Sequence, residues 1–475
     1  MSGVNHKSGK DHTVIDINDK NCIFRVPNVL RRQNPEAYTP DVVSIGPFHR
    51  YRVKRGKEEG KGGKDDKEGK GEEDFQLIKQ VKRRYLNEFL TGIKNITLEE
   101  LTTEVIKLSD QKNEGEFEQR ARDFYAESLH ISTKKFIKMM IVDGCFLIQL
   151  FRKCDDEKLR AFDDPVFNMD CMFHFLCHDI LLLENQLPWF VIHSLYSLIS
   201  KEYPNQASLS FLVLEVFSTL PSLKHSCSNY QTHLRTKERH CDADFLHILD
   251  LVRASMVNPL TIIDVRANEA ARKHERGNKA VHEDPDKNQI RTATALSKAD
   301  IKFKNVETDS NHSIMDIQFK AGGWFNNGIL EIPQLNVGMS SKTLFRNLIA
   351  IEQCYHGYSN AITSYAIFMD NLISSNEDME LLRMEKVIGN WMSDEDGCKF
   401  FSDLYKDIAH KKFYYVDLCE QLNYRYRLKR YTWLASLKSE KFSNPCRILA
   451  FAMGIFILIL TAWSQINNIR VNMHK

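Results

Sequence analysis

Residues 448–466 form an apolar run without a single charge, ILAFAMGIFILILTAWSQI. A helix that is apolar on every side must be buried, so this run constrains the fold strongly. As a helix it would extend about 28 Å, close to the hydrocarbon thickness of a bilayer. Only the tail 467–475 follows, too short to cover it. The sequence predicts a C-terminal transmembrane helix over 448–466, anchored by Ile448, Phe451, Ile455, Phe456, Ile459 and Trp463.

Basic residues are more numerous before this run than after it, where only Arg470 and Lys475 occur. Because positive charge favours the cytosolic side, we expect a single-pass protein with its N-terminal body in the cytosol, at the plasma membrane or an endomembrane. The basic residues before the run are expected either to contact anionic lipid or to form a solvated helix face. They are Arg425, Arg427, Lys429, Arg430, Lys438, Lys441 and Arg447.

The composition is that of a folded globular protein, with 43% apolar and 27% charged residues. The net charge of +2 argues against a general attraction to nucleic acid, and no nucleic-acid partner is expected. The eleven cysteines include no CxxC pair, which favours reduced and mostly buried thiols in a reducing compartment. The N-terminus lacks an apolar stretch of signal-peptide length, which agrees with the cytosolic orientation.

Hydrophobic periodicity predicts a mainly α fold, a large helical domain over 21–440 behind a flexible N-terminus, 1–20. Residues 54–74 are a low-complexity charged loop, and the charged stretch 265–291 is expected to be mobile. Alternating apolar residues over 301–337 predict a small antiparallel β-sheet inserted in the helical domain.

Two acidic residues stand out because each lies at an apolar helix. Asp143 lies inside MMIVDGCFL, and Glu184 ends the helix that contains DILLLE. A buried carboxylate must be paired, so a structural ion pair is expected, and an acid–base site is the alternative. The residues Cys171, His174 and His178 share a helix face but lack a fourth metal ligand. No catalytic, cofactor or metal site is predicted, and no cofactor is expected.

Six ordered blocks resemble the plant DUF247 family, also called UPF0481. Two departures are Cys446, where most relatives carry an aromatic residue, and the 54–74 run, which looks like an insertion. The blocks are CIFRVPNVLRRQNPEAYTPDVVSIGPFHR (22–50), MMIVDGCFLIQLF (139–151), DILLLENQLPWFVI (179–192), RTATALSKADIKFK (291–304), GILEIPQLNVGMSSKTLFRNLIAIEQCY (328–355) and ITSYAIFMDNLI (362–373).

The resemblance implies a plant protein of uncharacterised function, with its hydrophobic helix at the C-terminus. Some grass relatives are implicated in pollen–stigma self-incompatibility, which implies a recognition role for those members. We expect a membrane-anchored interaction or signalling protein, whose partners are the lipid bilayer and a protein of unknown identity. The alternative is a membrane-associated enzyme with its active site around Asp143 or Glu184.

Overall fold

A computed structural model describes most of the chain, which divides into two compact units. The predicted tail 1–20, the charged loop 54–74 and most of the stretch 265–291 lie outside the described residues. The described residues are 21–50, 76–204, 206–236, 245–257, 289–306, 313–322, 327–338, 340–355, 357–389, 394–406, 408, 413–428 and 453–464.

The described chain is mainly helical, as the sequence predicts, with one small sheet. Two short 3-10 turns lie at Glu36–Tyr38 and Glu157–Leu159. The helices are α1 (Asn28–Arg31), α2 (Pro47–Arg50), α3 (Gln76–Gly92), α4 (Leu98–Leu108), α5 (Glu114–Arg122), α6 (Thr133–Asp155), α7 (Pro165–Asn168), α8 (Asp170–Ile180), α9 (Trp189–Glu202), α10 (Leu209–Ser218), α11 (Lys224–Thr236), α12 (Ile248–Met256), α13 (Ala293–Lys298), α14 (Ser341–Cys354), α15 (Ala361–Leu372), α16 (Asn376–Met384), α17 (Asp394–Ser402) and α18 (Val416–Arg427). The strands are β1 (Ile301–Val306), β2 (Gln318–Lys320) and β3 (Gly328–Pro333).

The first unit comprises Met1–Asn268, Gly338–Ile362 and Lys406–Ala409, and α6 is its central helix. Helix α6 packs against α3, α9 and α10, and most of its side chains are buried on every side. This explains why its sequence is apolar nearly all round rather than along one stripe. Charged residues that fall within this helix therefore need partners inside the protein.

The second unit comprises Glu269–Val337, Thr363–Tyr405 and His410–Lys475, and it contains the sheet. The strand order is β1-β3-β2, so β3 is the central strand. Strands β1 and β3 are parallel, with Ile301 opposite Gly328, whereas β2 and β3 are antiparallel. Pro333 is the last residue of β3, where the lack of an N–H interrupts no further pairing.

The antiparallel sheet predicted over 301–337 is therefore wrong, because the sheet is mixed. Alternation of apolar and polar residues reports which face of a strand is buried, and this alternation is the same in both kinds of pairing. Strands β2 and β3 do form an antiparallel pair. The parallel pairing of β1 with β3 depends on the path of the chain between them, which alternation does not report.

The predicted transmembrane helix over 448–466 is also contradicted. Within the described residues, no helix combines the length and the apolarity that crossing a membrane requires. Of the predicted span, the structure describes residues 453–464, which are helical. Apolarity indicates that a segment avoids water, but it does not determine the length of regular helix. The cytosolic location of 21–440 stays a prediction.

A buried histidine begins α12 in the first unit. His247 is the N-cap, and its Nδ1 accepts a hydrogen bond from the N–H of Asp250 at 3.2 Å. The Asp250 carboxylate in turn accepts the N–H of Leu246 at 2.9 Å and the hydroxyl of Tyr358. Burial lowers the pKa of His247 to about 4, although Asp250 and the backbone of Cys22 act to raise it. The imidazole is therefore neutral in the folded chain at pH 7.

Acidification should destabilise the fold through His247. In the unfolded chain its pKa returns to 6.5, so between pH 6.5 and 4 the unfolded state binds the extra proton. From this shift we expect a loss of about 2 kcal/mol of unfolding free energy between pH 8 and pH 5. The variant His247→Asn keeps an N-cap acceptor but cannot titrate. Urea unfolding at both pH values should show a smaller loss for the variant, and equal losses would contradict the assignment.

Candidate functional site

The N-terminal segment, defined here as residues 21–50, carries the first family-like block and has little regular structure. A buried backbone without a strand or helix partner must still satisfy its N–H groups. Side chains from later in the chain do this. The Asp179 carboxylate accepts the N–H groups of three consecutive residues, Asp41, Val42 and Val43, at 2.7–2.9 Å.

Three further side chains complete this bracing. Asn185 Oδ1 accepts the N–H of Ile45 at 2.6 Å, and its Nδ2 donates to the carbonyl of Val43 at 3.0 Å. Glu184 accepts the N–H of Val26 at 2.7 Å, and Asp143 that of Gly46 at 2.9 Å. We call Asp143, Asp179, Glu184 and Asn185 the carboxylate–amide cradle. The polar residues of the DILLLENQLPW block thus hold the N-terminal segment in place.

Asp143 projects from the middle of α6 and is fully buried. Lys82 Nζ of α3 lies 2.6 Å from its Oδ1, and Arg50 Nη2 lies 2.9 Å from the same oxygen. Lys82 also donates to the carbonyl of Ser44 at 2.6 Å. Burial would raise the pKa of Asp143, but Arg50 and Lys82 outweigh it and hold that pKa below its ordinary value. Burial also lowers the pKa of Lys82 to about 8, against the opposing effect of Asp143.

Glu184 is also a buried carboxylate with basic partners, and its side chain is 2% exposed. Arg31 forms an ion pair with its Oε1, and His49 Nε2 lies 3.5 Å from its Oε2. Arg25 lies 3.9 Å from this carboxylate and 2.7 Å from Glu127. The cations come from the N-terminal segment, so its charge is complementary to the cradle.

The surroundings of Asp143 and Glu184 argue against the alternative that these two carboxylates form an active site. A general acid or base must reach a substrate and exchange a proton with it. Asp143 and Glu184 are buried, and each accepts donors from a basic side chain and from a backbone N–H. The adjacent residues His49 and Arg50 contact one carboxylate each. The geometry is that of structural ion pairs, so the suggestion of an active site around these residues loses its basis.

The histidine face of α8 serves local contacts as well. His174 Nε2 lies 2.9 Å from Ser340 Oγ, and Cys171 is exposed. Among the described residues, the group whose ligand atoms lie close enough to hold a metal is Asp41, His178 and Asp179, within 4.8 Å of one another. The Asp179 oxygens already accept three N–H groups, which leaves few of their lone pairs for a cation.

The predicted membrane residues are placed as follows. Four of the anchor residues lie in the helical segment 453–464 and are 44–66% exposed, namely Ile455, Phe456, Ile459 and Trp463. Of the basic residues, Arg427 is exposed at the end of α18. Arg425 is buried at 3% exposure in the second unit, where it donates to the carbonyl of Ala321 and lies 3.9 Å from Asp300. The others lie outside the described residues: Ile448, Phe451, Lys429, Arg430, Lys438, Lys441 and Arg447.

Removing the charge of Asp143 should destabilise the chain strongly. Asp143→Asn leaves Lys82 and Arg50 without a buried counter-charge, and we expect a loss of about 3 to 5 kcal/mol in the free energy of urea unfolding. The double variant Asp143→Asn with Lys82→Met should lose less than the sum of the single losses. Asp163→Asn, which removes an exposed partner of Arg84, is the control and should cost at most about 1 kcal/mol. Additive losses would show that Asp143 and Lys82 are not coupled.

Gly46 should tolerate no side chain. Its φ of +67° favours glycine, and a Cβ there would lie 2.8 Å from the Gln186 carbonyl oxygen. We expect Gly46→Ala to cost about 2 to 4 kcal/mol of unfolding free energy, from backbone strain and overpacking. Gly92→Ala is the matched control, because its Cβ would meet atoms no closer than 3.9 Å. If the urea midpoint shifts no more for Gly46→Ala than for Gly92→Ala, the close approach of Gly46 to the Gln186 carbonyl is contradicted.

Comparison with known proteins gives a family for the chain. The family model DUF247, described as plant protein of unknown function, matches residues 23–460. A UPF0481 protein of Arabidopsis thaliana is 29% identical over 457 residues, covering 93% of this chain and 84% of the relative. A second Arabidopsis thaliana UPF0481 protein is 22% identical over 508 residues, covering 93% and 88%. No solved structure matches. The family match spans both units, and the chain therefore belongs to the DUF247 family of plant proteins.

Proposed function

We propose that this chain is a protein-interaction protein, which recognises a protein partner through a surface beside the end of α6. The observation that carries the proposal is Phe162, whose side chain is 100% exposed. Leu159 and Met169, close to it in sequence, are 38% and 42% exposed. Phe167 and Phe173 are half-buried, and their rings stack at 5.7 Å. We call these five residues the aromatic surface.

The backbone that carries Phe162 is fixed by hydrogen bonds. Arg160 Nε donates to the carbonyl of Lys153 at 2.7 Å, and its Nη2 to that of Cys154 at 3.1 Å. The Asn168 side chain donates to the carbonyl of Phe162, and the N–H of Asp164 donates to that of Ala161 at 3.1 Å. A partner would therefore meet a preorganised surface and would lose little entropy in ordering it.

Exposed aromatic side chains on an ordered backbone are typical of interaction hot spots. Fully burying a side chain such as Phe162 against a partner would contribute about 1.5–3 kcal/mol. Single exposed apolar residues are common on protein surfaces, but here three lie within eleven residues of sequence, in the segment that also carries Phe167 of the stacked ring pair. The buried carboxylates of the cradle, by contrast, are occupied with internal contacts and support no catalytic alternative.

Lysine-directed crosslinking of the tagged full chain in plant cells tests the proposal. Lys158 is exposed beside the aromatic surface, whereas Lys134 is exposed at the other end of α6, about 30 Å away. We expect crosslinks to a partner at Lys158 and not at Lys134. Phe162→Ser should reduce recovery of that partner at least tenfold, which corresponds to about 1.4 kcal/mol.

Tyr424→Ser is the control, because Tyr424 is 69% exposed and belongs to the second unit. It should leave recovery of the partner unchanged. Equal recovery by Phe162→Ser and the parent chain, or equal loss in both variants, would overturn the proposal. A urea midpoint within error of the parent chain for Phe162→Ser establishes that the loss does not come from unfolding.

A further inference from the structure

Three acidic residues at and near the end of α6 lie close to the segment that carries Phe162. Asp156 accepts the N–H of Lys158 at 3.0 Å, and Glu215 accepts a hydrogen bond from the Gln231 side chain at 3.0 Å. Asp155 is the last residue of α6, and Asp156 follows it as the C-cap. Glu215 of α10 lies near Asp155, so that burial first, and then Glu215 and Asp156, raise the pKa of Asp155. Among the described residues, no Lys or Arg nitrogen lies within 4.0 Å of a carboxylate oxygen of these three. We call Asp155, Asp156 and Glu215 the acidic cluster.

The other charges near the aromatic surface are largely paired. Arg160 Nη1 lies 2.9 Å from Glu157, and Arg84 Nη2 lies 2.7 Å from Asp163. Arg152, one turn before the end of α6, donates to Gln149 and lies 5.0 Å from the ring centre of Tyr203. Arg152 also lies near Asp156, whose carboxylate stabilises its positive charge. Arg152 and the exposed Lys158 together stand against the three acids, which leaves one negative charge without a counter-charge in this region.

The cluster is unfavourable for the isolated chain. Acidic residues at the C-terminal end of a helix oppose its dipole. Mutual repulsion between Asp155 and Glu215 adds to this cost, and exposure of Phe162 to water adds an apolar contribution. A group of residues that lowers stability in three ways is typical of a binding site, where function competes with stability.

We propose that the aromatic surface and the acidic cluster form one docking site for a basic amphipathic segment of a protein partner. This rests on the proposed function and names the class of partner. Apolar side chains of the segment pack on Phe162, Leu159 and Met169, while its Lys or Arg residues pair with Asp155, Asp156 and Glu215. Such charge complementarity favours basic partners and repels nucleic acid and anionic lipid, which carry negative charge.

Fluorescence anisotropy with the full chain tests this docking site. The probe is an 18-residue peptide of Leu and Lys at amphipathic helical spacing, and the comparison probe carries Glu in place of Lys. We expect the Lys probe to bind at least tenfold more tightly than the Glu probe at about 0.15 M salt, with binding that weakens as salt rises. Equal binding of the two probes would overturn the proposal.

A matched pair of triple variants separates the site from overall charge. Asp155→Asn, Asp156→Asn and Glu215→Gln together should weaken binding of the Lys probe at least tenfold, as should Phe162→Ser alone. The control triple, Glu99→Gln, Glu380→Gln and Glu385→Gln, removes the same charge from exposed positions elsewhere and should change binding less than twofold. Equal weakening by both triples would show attraction to overall charge and would overturn the site.

The crosslinking experiment in cells separates this inference from the proposed function. The partner segment joined to Lys158 should have net positive charge, and the acidic-cluster triple should lose it. If Phe162→Ser abolishes the crosslink and the acidic-cluster triple does not, the interaction surface stands and the basic class of partner is refuted. If neither variant affects it, both proposals fail. The chain can also be tested against anionic vesicles. If it binds them and Phe162→Ser abolishes this binding, the surface recognises lipid instead of a protein, and the inference is overturned.

Discussion

The interaction on which the first unit depends is the ion pair of Asp143 with Lys82 and Arg50. Desolvating a carboxylate in the centre of α6 is costly, and it is tolerated because two cations and the N–H of Gly46 surround it. Since Lys82 comes from α3 and Arg50 from the N-terminal segment, one buried charge fixes three parts of the chain together. The apolar packing of α6 surrounds this polar centre and excludes water from it.

The same principle extends along the N-terminal segment. Its irregular backbone lies in the interior because Asp179, Glu184 and Asn185 replace the hydrogen bonds that a strand partner would supply. Polar residues in an apolar block are commonly suspected of catalysis. Here these polar residues have a structural role, because they accept the backbone N–H groups of the N-terminal segment.

Much of the helical architecture could be predicted from the sequence, because α6 and its neighbours have long, strongly periodic patterns. The need for a partner at Asp143 was also evident, but its identity was not. Lys82 is separated from it by 61 residues and Arg50 by 93, and nothing in their local sequence marks them as buried. Apolarity at 448–466 predicted a membrane span that no described helix supports, and alternation in the sheet left the strand directions open. Phe162 was missed because a single aromatic residue in a short polar loop carries no periodic signal.

The bracing of the N-terminal segment also has a consequence for how the chain is made on the ribosome. The Asp179 contacts join residues 136–138 positions apart, and Asn347 donates to the carbonyl of Ala37 across 310 positions. At about 5–20 residues per second, these acceptors and donors emerge roughly 7 to 60 seconds after the segment they hold. Apolar side chains such as Ile23, Val43 and Phe48, fully buried in the finished protein, stay exposed for that interval. The N-terminal segment therefore cannot complete its native contacts until Asn347 has been synthesised.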